Sequence, residues 1–306
     1  MAHFINIFAN SQTFGNVFIE GLFNGLALGS VFALMALGYS MVYGIVKMIN
    51  FAHSEFITIG AFVAFFLIEV LHASGVPYSF LMVLISIIAA ILVCVIIAVL
   101  TERFAYRPLR QKGSSRITAL ITAIGVSYII NGVLNVINSE QMEFHQFFDN
   151  TTASIIAIVV TAVLLVLLTL FVKKTKIGIA MRAVSENESA AKLMGINNNF
   201  IIALTFILGS SLAAIGVVIY LLRYPFFNFT LGSSTIGLYP FVAAVIGGIG
   251  SLPGAVVGGF LIGILKQLAV VFGISAWTDA IVYGIFVVIL LFKPAGLLGK
   301  DTREKV

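Results

Sequence analysis

A few ionisable and amide side chains interrupt an otherwise apolar sequence. Asn50, His53 and Glu55 fall within Lys47–Glu55, and Lys266 and Gln267 fall within a later apolar run. Such groups are costly in hydrocarbon, so they are expected to face protein or water. There they are candidates to line or gate a path for a polar solute. An interfacial loop would hold Asn50, His53 and Glu55 just as well. Lys266 either pairs with an acid or snorkels, both structural uses. Glu20 and Glu69 suit the interface, while Asn24, Asn131 and Asn135 suit hydrogen bonds between helices. The chemistry that is missing narrows the reading further. His3, His53, His72 and His145 are scattered and suggest no metal site. No nucleophile–base motif, no H-E-x-x-H and no G-x-x-x-x-G-K-[ST] occurs. The chain is therefore expected to be no enzyme and to carry no cofactor or metal. An ATP-driven step would need another polypeptide.

The elements that position these residues follow from composition. Of 306 residues, 60% are hydrophobic and only 9% charged, against roughly 25% charged in ordinary globular domains. Several apolar runs approach the roughly 20 residues that cross a bilayer as a helix. Residues 1–16 contain no Lys or Arg, so no secretory signal with a basic leading region is read, and the first span is expected to direct its own insertion. Cys94 is the lone cysteine, has no partner for an internal disulfide and says nothing about redox compartment. The net charge of +5 is gathered into three groups that hold most of the 17 basic residues. These are Arg103–Arg116, Lys173–Lys192 and Lys293–Lys305. This is a positive-inside pattern and not a nucleic-acid stripe.

The expected spans are Val17–Val46, Phe56–Leu71, Ser79–Leu100, Ile117–Ile137, Thr152–Val172, Phe200–Leu222, Ile236–Phe272 with a break, and Trp277–Phe292. Gly21, Gly25 and Gly29 share one helical face, which suits close helix packing within the subunit. The loop Asn138–Asn150, acidic and free of Lys and Arg, is placed outside, and Arg223–Thr235 is read as an aromatic-rich interfacial segment. The fold class is all-α. A polytopic transmembrane helix bundle of about eight to ten segments is expected, some broken or re-entrant, as one domain over residues 1–306. Parity places the N-terminus outside and the C-terminus in the cytoplasm. Each half has an interrupted region, Lys47–Glu55 and Gly247–Gly254. Paired broken helices point to a transport path, because unwound backbone is tolerated at membrane depth only beside a cavity or within protein. Asn50, Phe51, His53, Glu55, Gly247, Gly248, Gly250 and Ser251 are the candidate path residues.

The longest polar stretch inside the membrane region is the cytoplasmic loop Lys173–Asn199. Ser185 followed by Glu188 has the form of a capping box, predicting that a short helix starts there. Gly195 suits the position just past its end, and Asn199 suits a cap on the next span. Ala190, Leu193 and Met194 share one side of the short helix, while Glu186 and Lys192 can stay in water. The loop is either a docking knob or a cover over its own protein.

Three stretches carry a family resemblance. LGSVFALMALGYSMVYGIVKMINFAHSEFITIGAFVA (Leu28–Ala64), AMRAVSENESAAKLMGINNNFIIALTFILGSSLAAIGVV (Ala180–Val218) and AAVIGGIGSLPGAVVGGFLIG (Ala243–Gly263) resemble, in order and spacing, inner-membrane permeases of branched-chain amino acid ABC transporters. The resemblance implies a bacterial inner-membrane subunit that imports leucine, isoleucine and valine. Its partners would be a second, related permease, two cytoplasmic ATPases that hold ATP and Mg, and an external substrate-binding protein. It also implies that Lys173–Asn199 is the ATPase-coupling loop, with Ser185, Glu186, Glu188, Ser189, Ala190, Ala191 and Gly195 as its residues. The family pattern E-A-A, then G, is met by Ser189-Ala190-Ala191 and Gly195. Ser189 replaces the expected Glu, and Glu188 stands one position earlier. A urea or other amide permease is the alternative within the family, and a stand-alone ion-coupled transporter using Glu55 or Lys266 is the alternative outside it.

Overall fold

Lipid leaves a spanning chain few ways to pair its own backbone polar groups, and this sequence uses helices. The computed structural model describes residues 11–299, without the side chains of residues 11–13, 116 and 235. His3 and the basic residues Lys300, Arg303 and Lys305 lie outside the described residues. In chain order the elements begin with α1 (Ser11–Val46), α2 (His53–Ala73) and α3 (Phe80–Thr101). A π-helical turn (Glu102–Tyr106) carries α3 directly into α4 (Arg107–Gln111), and α5 (Arg116–Ile137) and α6 (Asn150–Lys174) follow. Two short helices, α7 (Lys176–Glu186) and α8 (Glu188–Leu193), then lead into α9 (Asn198–Leu221). The chain continues with α10 (Thr235–Gly247), α11 (Leu252–Val271), a 3₁₀ turn (Ser275–Trp277) and α12 (Thr278–Phe292). Two short strands, β1 (Met142–Glu143) and β2 (Phe226–Phe227), pair antiparallel with Met142 opposite Phe227. They tie the α5–α6 loop to the segment after α9.

Among the described residues, eight helices are long and apolar enough to cross a membrane. They divide by surroundings. α1 is almost wholly enclosed, whereas α3, α5, α6 and α12 turn many large apolar side chains outward, Ile88, Tyr128, Val136, Leu167 and Leu291 among them. An apolar helix with an apolar exterior suits lipid. The central contact is α1 against α11, made by backbone close approach. A Cβ on Gly25 would stand 2.9 Å from Cα of Ile264, and one on Gly29 would stand 2.8 Å from Cα of Phe260. Gly259 and Gly263 face Ala33 and Gly29 from the other side. The glycines on one face of α1 therefore pack within the subunit.

Two elements begin inside the bundle. The chain turns at Lys47, whose φ of 57° is left-handed, and climbs back before α2 starts. The His53 ring meets the Tyr39 ring at 4.4 Å between centroids. His53 thus lies level with a point about 10 Å back from the end of α1. Opposite it, the segment after α9 enters the bundle as non-helical chain. Phe227, Leu231 and Gly232 are buried, and the Gly232 amide donates to Oγ1 of Thr58 at 2.7 Å. α10 starts from that depth and runs to the basic end. Arg223–Thr235 is therefore not wholly interfacial as expected; its second half descends into the protein. Buried carbonyls and hydroxyls within the bundle offer it the partners that lipid lacks. Together with this descent, the shorter apolar helix α10 runs alongside the longer helices from the β1–β2 end to the basic end. The two ends of the described chain then lie at opposite ends of the bundle.

Candidate functional site

The side chains singled out by type gather at two depths. The deeper group lies where α2 and α10 begin. Glu55 is fully buried, accepts from the Ser127 hydroxyl of α5 at 3.0 Å, and from Thr58 at 3.4 Å. Thr58 itself holds the Gly232 amide. Asn131, one turn along α5, donates to the Phe229 carbonyl at 2.9 Å. α5 is thereby pinned by polar contacts to the descending segment and to α2. His53 is buried against Tyr39 and Phe56, and neither ring nitrogen makes a well-formed hydrogen bond. Phe51 and Tyr39 both reach Phe241 of α10, at 5.3 and 5.7 Å between ring centroids. So Phe51, His53 and Glu55 lie inside protein, and aromatic rings together with a few fixed polar groups surround the start of α2.

The candidate residues of the second half lie elsewhere, at the basic end. Gly247 abuts the Gly254 carbonyl, and Gly248, with φ of 109°, abuts Gly299. The amides of Leu297 and Leu298 donate at 2.8 Å to the carbonyls of Ile246 and Gly247, which the end of α10 leaves free. Gly250, with φ of 90°, lies against Gly44 of α1, and its amide donates to the Ser40 hydroxyl at 3.0 Å. Ser251 caps α11 through the Gly254 amide at 3.2 Å, with Pro253 in the first turn. The two candidate segments thus flank α1 rather than meet. Tyr39 touches the first and Ser40 the second. A cleft of about 100 Å³ opens beside the second segment, lined by Ser40, Gly44, Gly250, Met181, Arg182 and Ser185. It borders both the glycine break and the central loop.

In that loop the short helix exists, but its start differs from the expected one. Thr175 caps α7 through the Gly178 amide at 3.0 Å, so helix is already running at Ser185, whose hydroxyl donates back to the Arg182 carbonyl. The break comes at Asn187. Its side chain caps α8 by accepting from the Ala190 amide at 2.9 Å. Gly195 follows α8 with φ of 83°, the left-handed position expected of it. Asn197, not Asn199, caps α9. Of the loop residues, Ala191 is buried, whereas Glu186, Glu188, Ser189, Ala190 and Gly195 are exposed. Leu193 and Met194 are 88% and 81% exposed. The apolar side of α8 therefore faces away from its own protein.

The first basic group, a topology signal in the sequence, is in part structural. Glu102 is fully buried and lies 3.3 Å from Arg107 and 3.5 Å from Arg110. Arg110 also lies 3.5 Å from Glu188 of α8 and donates to Asn199 at 2.6 Å. Tyr106 donates to Oδ1 of Asn50 at 2.6 Å. The one available signal was an acid next to basic residues at the end of a span. The π turn, which brings Glu102 and Tyr106 inward while Arg103 and Phe104 point out, left no pattern to read.

The profile of the family described as "Branched-chain amino acid transport system / permease component" matches residues 21–291. The chain is 39% identical over 305 residues to the high-affinity branched-chain amino acid transport system permease protein BraD of Pseudomonas aeruginosa, covering 94% of this chain and 98% of that protein. It is 37% identical over 304 residues to the corresponding permease protein LivH of Escherichia coli K12, with the same coverage. A probable branched-chain amino acid transport permease protein of Methanocaldococcus jannaschii is 30% identical over 298 residues, 90% of each chain.

Proposed function

Because the chain belongs to the branched-chain amino acid transport permease family, we propose that it is the membrane-spanning subunit of an ATP-driven importer for leucine, isoleucine and valine. The basic end of the bundle faces the cytoplasm and the β1–β2 end faces outward, as the grouping of Lys and Arg favours. The subunit pairs with a second, related permease. Two cytoplasmic ATPases hold ATP and Mg, and an external binding protein delivers the substrate. The protein lies in the bacterial inner membrane.

One observation carries the coupling role. At the basic end, α8 is capped at both ends and turns Leu193 and Met194 to solvent. A capped helix moves as a unit, and exposed apolar side chains beside wet Glu186 and Lys192 suit a protein partner. ATP binding closes the ATPases, α8 moves with them, and α6 and α9 tilt to alternate access. The path is bordered by Asn50–Glu55 on one side of α1 and by Gly247–Ser251 on the other. A small zwitterion with an aliphatic side chain suits such apolar walls with few polar groups.

The test is Gly195→Trp in the complete complex, reconstituted with labelled leucine outside. A side chain at φ of 83° is strained, though the space beside Gly195 is open. The subunit should still accumulate in the membrane and assemble. ATP hydrolysis should continue while leucine carried per ATP falls by about tenfold. Unchanged uptake per ATP would remove α8 from the mechanism.

A further inference from the structure

We infer that Arg110, Glu102 and Tyr106 are positioning residues that carry the motion of α8 to the Lys47–Ala52 turn and so to the start of α2. The inference rests on the coupling role of α8 and adds the route by which its motion reaches the path.

The chain of contacts is continuous. Glu188, in the first turn of α8, lies 3.5 Å from Nε of Arg110. The same guanidinium holds Asn199 in the first turn of α9 at 2.6 Å, so one side chain grips both elements that leave the loop. Behind it lies Glu102, fully buried and also paired with Arg107. A buried carboxylate with cationic partners is costly to pull away from them, so the α4 end and the π turn follow Arg110 as one body. The π turn places Glu102 and Tyr106 on the same inner face. The Tyr106 hydroxyl then ends the series at Asn50, 2.6 Å away and inside the turn before α2.

The receiving end is built to shift. Lys47 is the one described non-glycine residue with positive φ, a backbone state that persists only while its surroundings enforce it. Nδ2 of Asn50 is buried without a hydrogen-bond partner, and neither nitrogen of His53, three residues on, makes a well-formed one. Satisfied polar groups would hold the turn in one position; these leave it a second arrangement to reach. Among the described residues, no hydrogen bond or ion pair joins α8 to Gly247–Ser251. There Ser185 and Arg182 border the cleft, while the glycine backbone is stitched to Ser40 and to the segment after α12. The asymmetry assigns the moving wall to Asn50–Glu55.

The experiment uses the complete complex in vesicles, with Lys47→Cys as a reporter. Lys47 is exposed, and the native thiol of Cys94 is buried against the Phe56 carbonyl. Maleimide labelling of the new cysteine is followed with and without ATP plus vanadate, and hydrolysis and leucine uptake are measured in parallel. Glu188→Gln, Tyr106→Phe and the double variant are compared. Glu188 is half exposed, so Glu188→Gln leaves folding intact. Each single variant should keep ATP hydrolysis, lose the nucleotide-dependent change in labelling, and carry about tenfold less leucine per ATP. The double variant should be no worse than the worse single, because two links in one series fail together. A full labelling change in Glu188→Gln, or losses that multiply in the double, overturns the relay. If Gly195→Trp uncouples the complex while Glu188→Gln and Tyr106→Phe do not, the relay alone fails. If Gly195→Trp stays coupled, the role of α8 fails and the relay with it.

Discussion

At the scale of single residues, the fully buried carboxyl side chains among the described residues, Glu55 and Glu102, both have polar or cationic partners. Glu102 shows the energetic consequence. Glu102→Gln leaves Arg107 without its buried counter-charge and Arg110 with only the half-exposed Glu188, and breaking a buried pair by removing one partner costs up to about 3–5 kcal/mol. Thermal unfolding of the detergent-solubilised subunit should fall accordingly, and Glu188→Gln, at the exposed end of the same network, should barely change it. Asp149 gives a prediction in pH. It caps α6, and its carboxyl is held below the usual carboxylate range by the Thr152 hydroxyl, then by the amides of Thr152 and Thr151. A depressed folded value means that the cap is fully effective above the unfolded pKa of about 3.9. It is lost as pH falls through the lower folded value. Hydrogen exchange at the Thr151 and Thr152 amides should therefore speed up, relative to the unprotected rate, as pH drops below about 4. Asp149→Asn, whose amide oxygen caps at every pH, should show no such transition.

At the scale of elements, most helices form because apolar composition demands it, but their seams differ in kind. α1 and α11 meet backbone to backbone across Gly25, Gly29, Gly259 and Gly263. Gly29→Leu drives a side chain into the Phe260 backbone, and overpacking of that sort costs about 1–3 kcal/mol or more. Loss of folded subunit on size-exclusion chromatography after mild heating measures it. Gly132→Leu on α5 is the matched control, since a Cβ there meets nothing within 4 Å, and it should leave the isolated subunit unchanged. The half-helix α10 has a different logic. Its N-terminal end is capped by Ser234, which accepts from the Ile236 amide just after Thr58 has anchored Gly232, and the carbonyls at its C-terminal end are taken by Leu297 and Leu298. A short apolar helix inside a bundle needs both ends supplied.

At the scale of the whole molecule, the sequence contains no G-x-x-x-x-G-K-[ST] phosphate-binding loop. The family membership and the exposed side of α8 favour a subunit moved from outside. The ion-coupled alternative would give Glu55 or Lys266 a proton-linked role. Purified chain alone in vesicles should therefore take up no labelled leucine under a proton or sodium gradient. Uptake should appear only when the ATPases, the second permease, the binding protein and ATP are supplied. Gradient-driven uptake by the lone chain would reverse that assignment.

The sequence by itself determined the class of fold, the spans to within a few residues, the short helix in the central loop with Gly195 behind it, and the family. Each of these is written locally, in apolar run length, in charge placement or in turn chemistry. Only the tertiary structure decided which polar groups meet. Ser185 and Glu188 look like a capping box, yet α7 runs through Ser185 because Thr175 has already started it, and Asn187 takes the cap. Gly247–Ser251 reads in sequence as the twin of Asn50–Glu55, yet the partner of α2 at depth is the descending segment around Gly232. Arg110 is one more basic residue until folding sets it between Glu102, Glu188 and Asn199. Periodicity reports which face of a helix is apolar. It does not report which helices adjoin, and hydrogen bonds and ion pairs between distant residues depend on that adjacency.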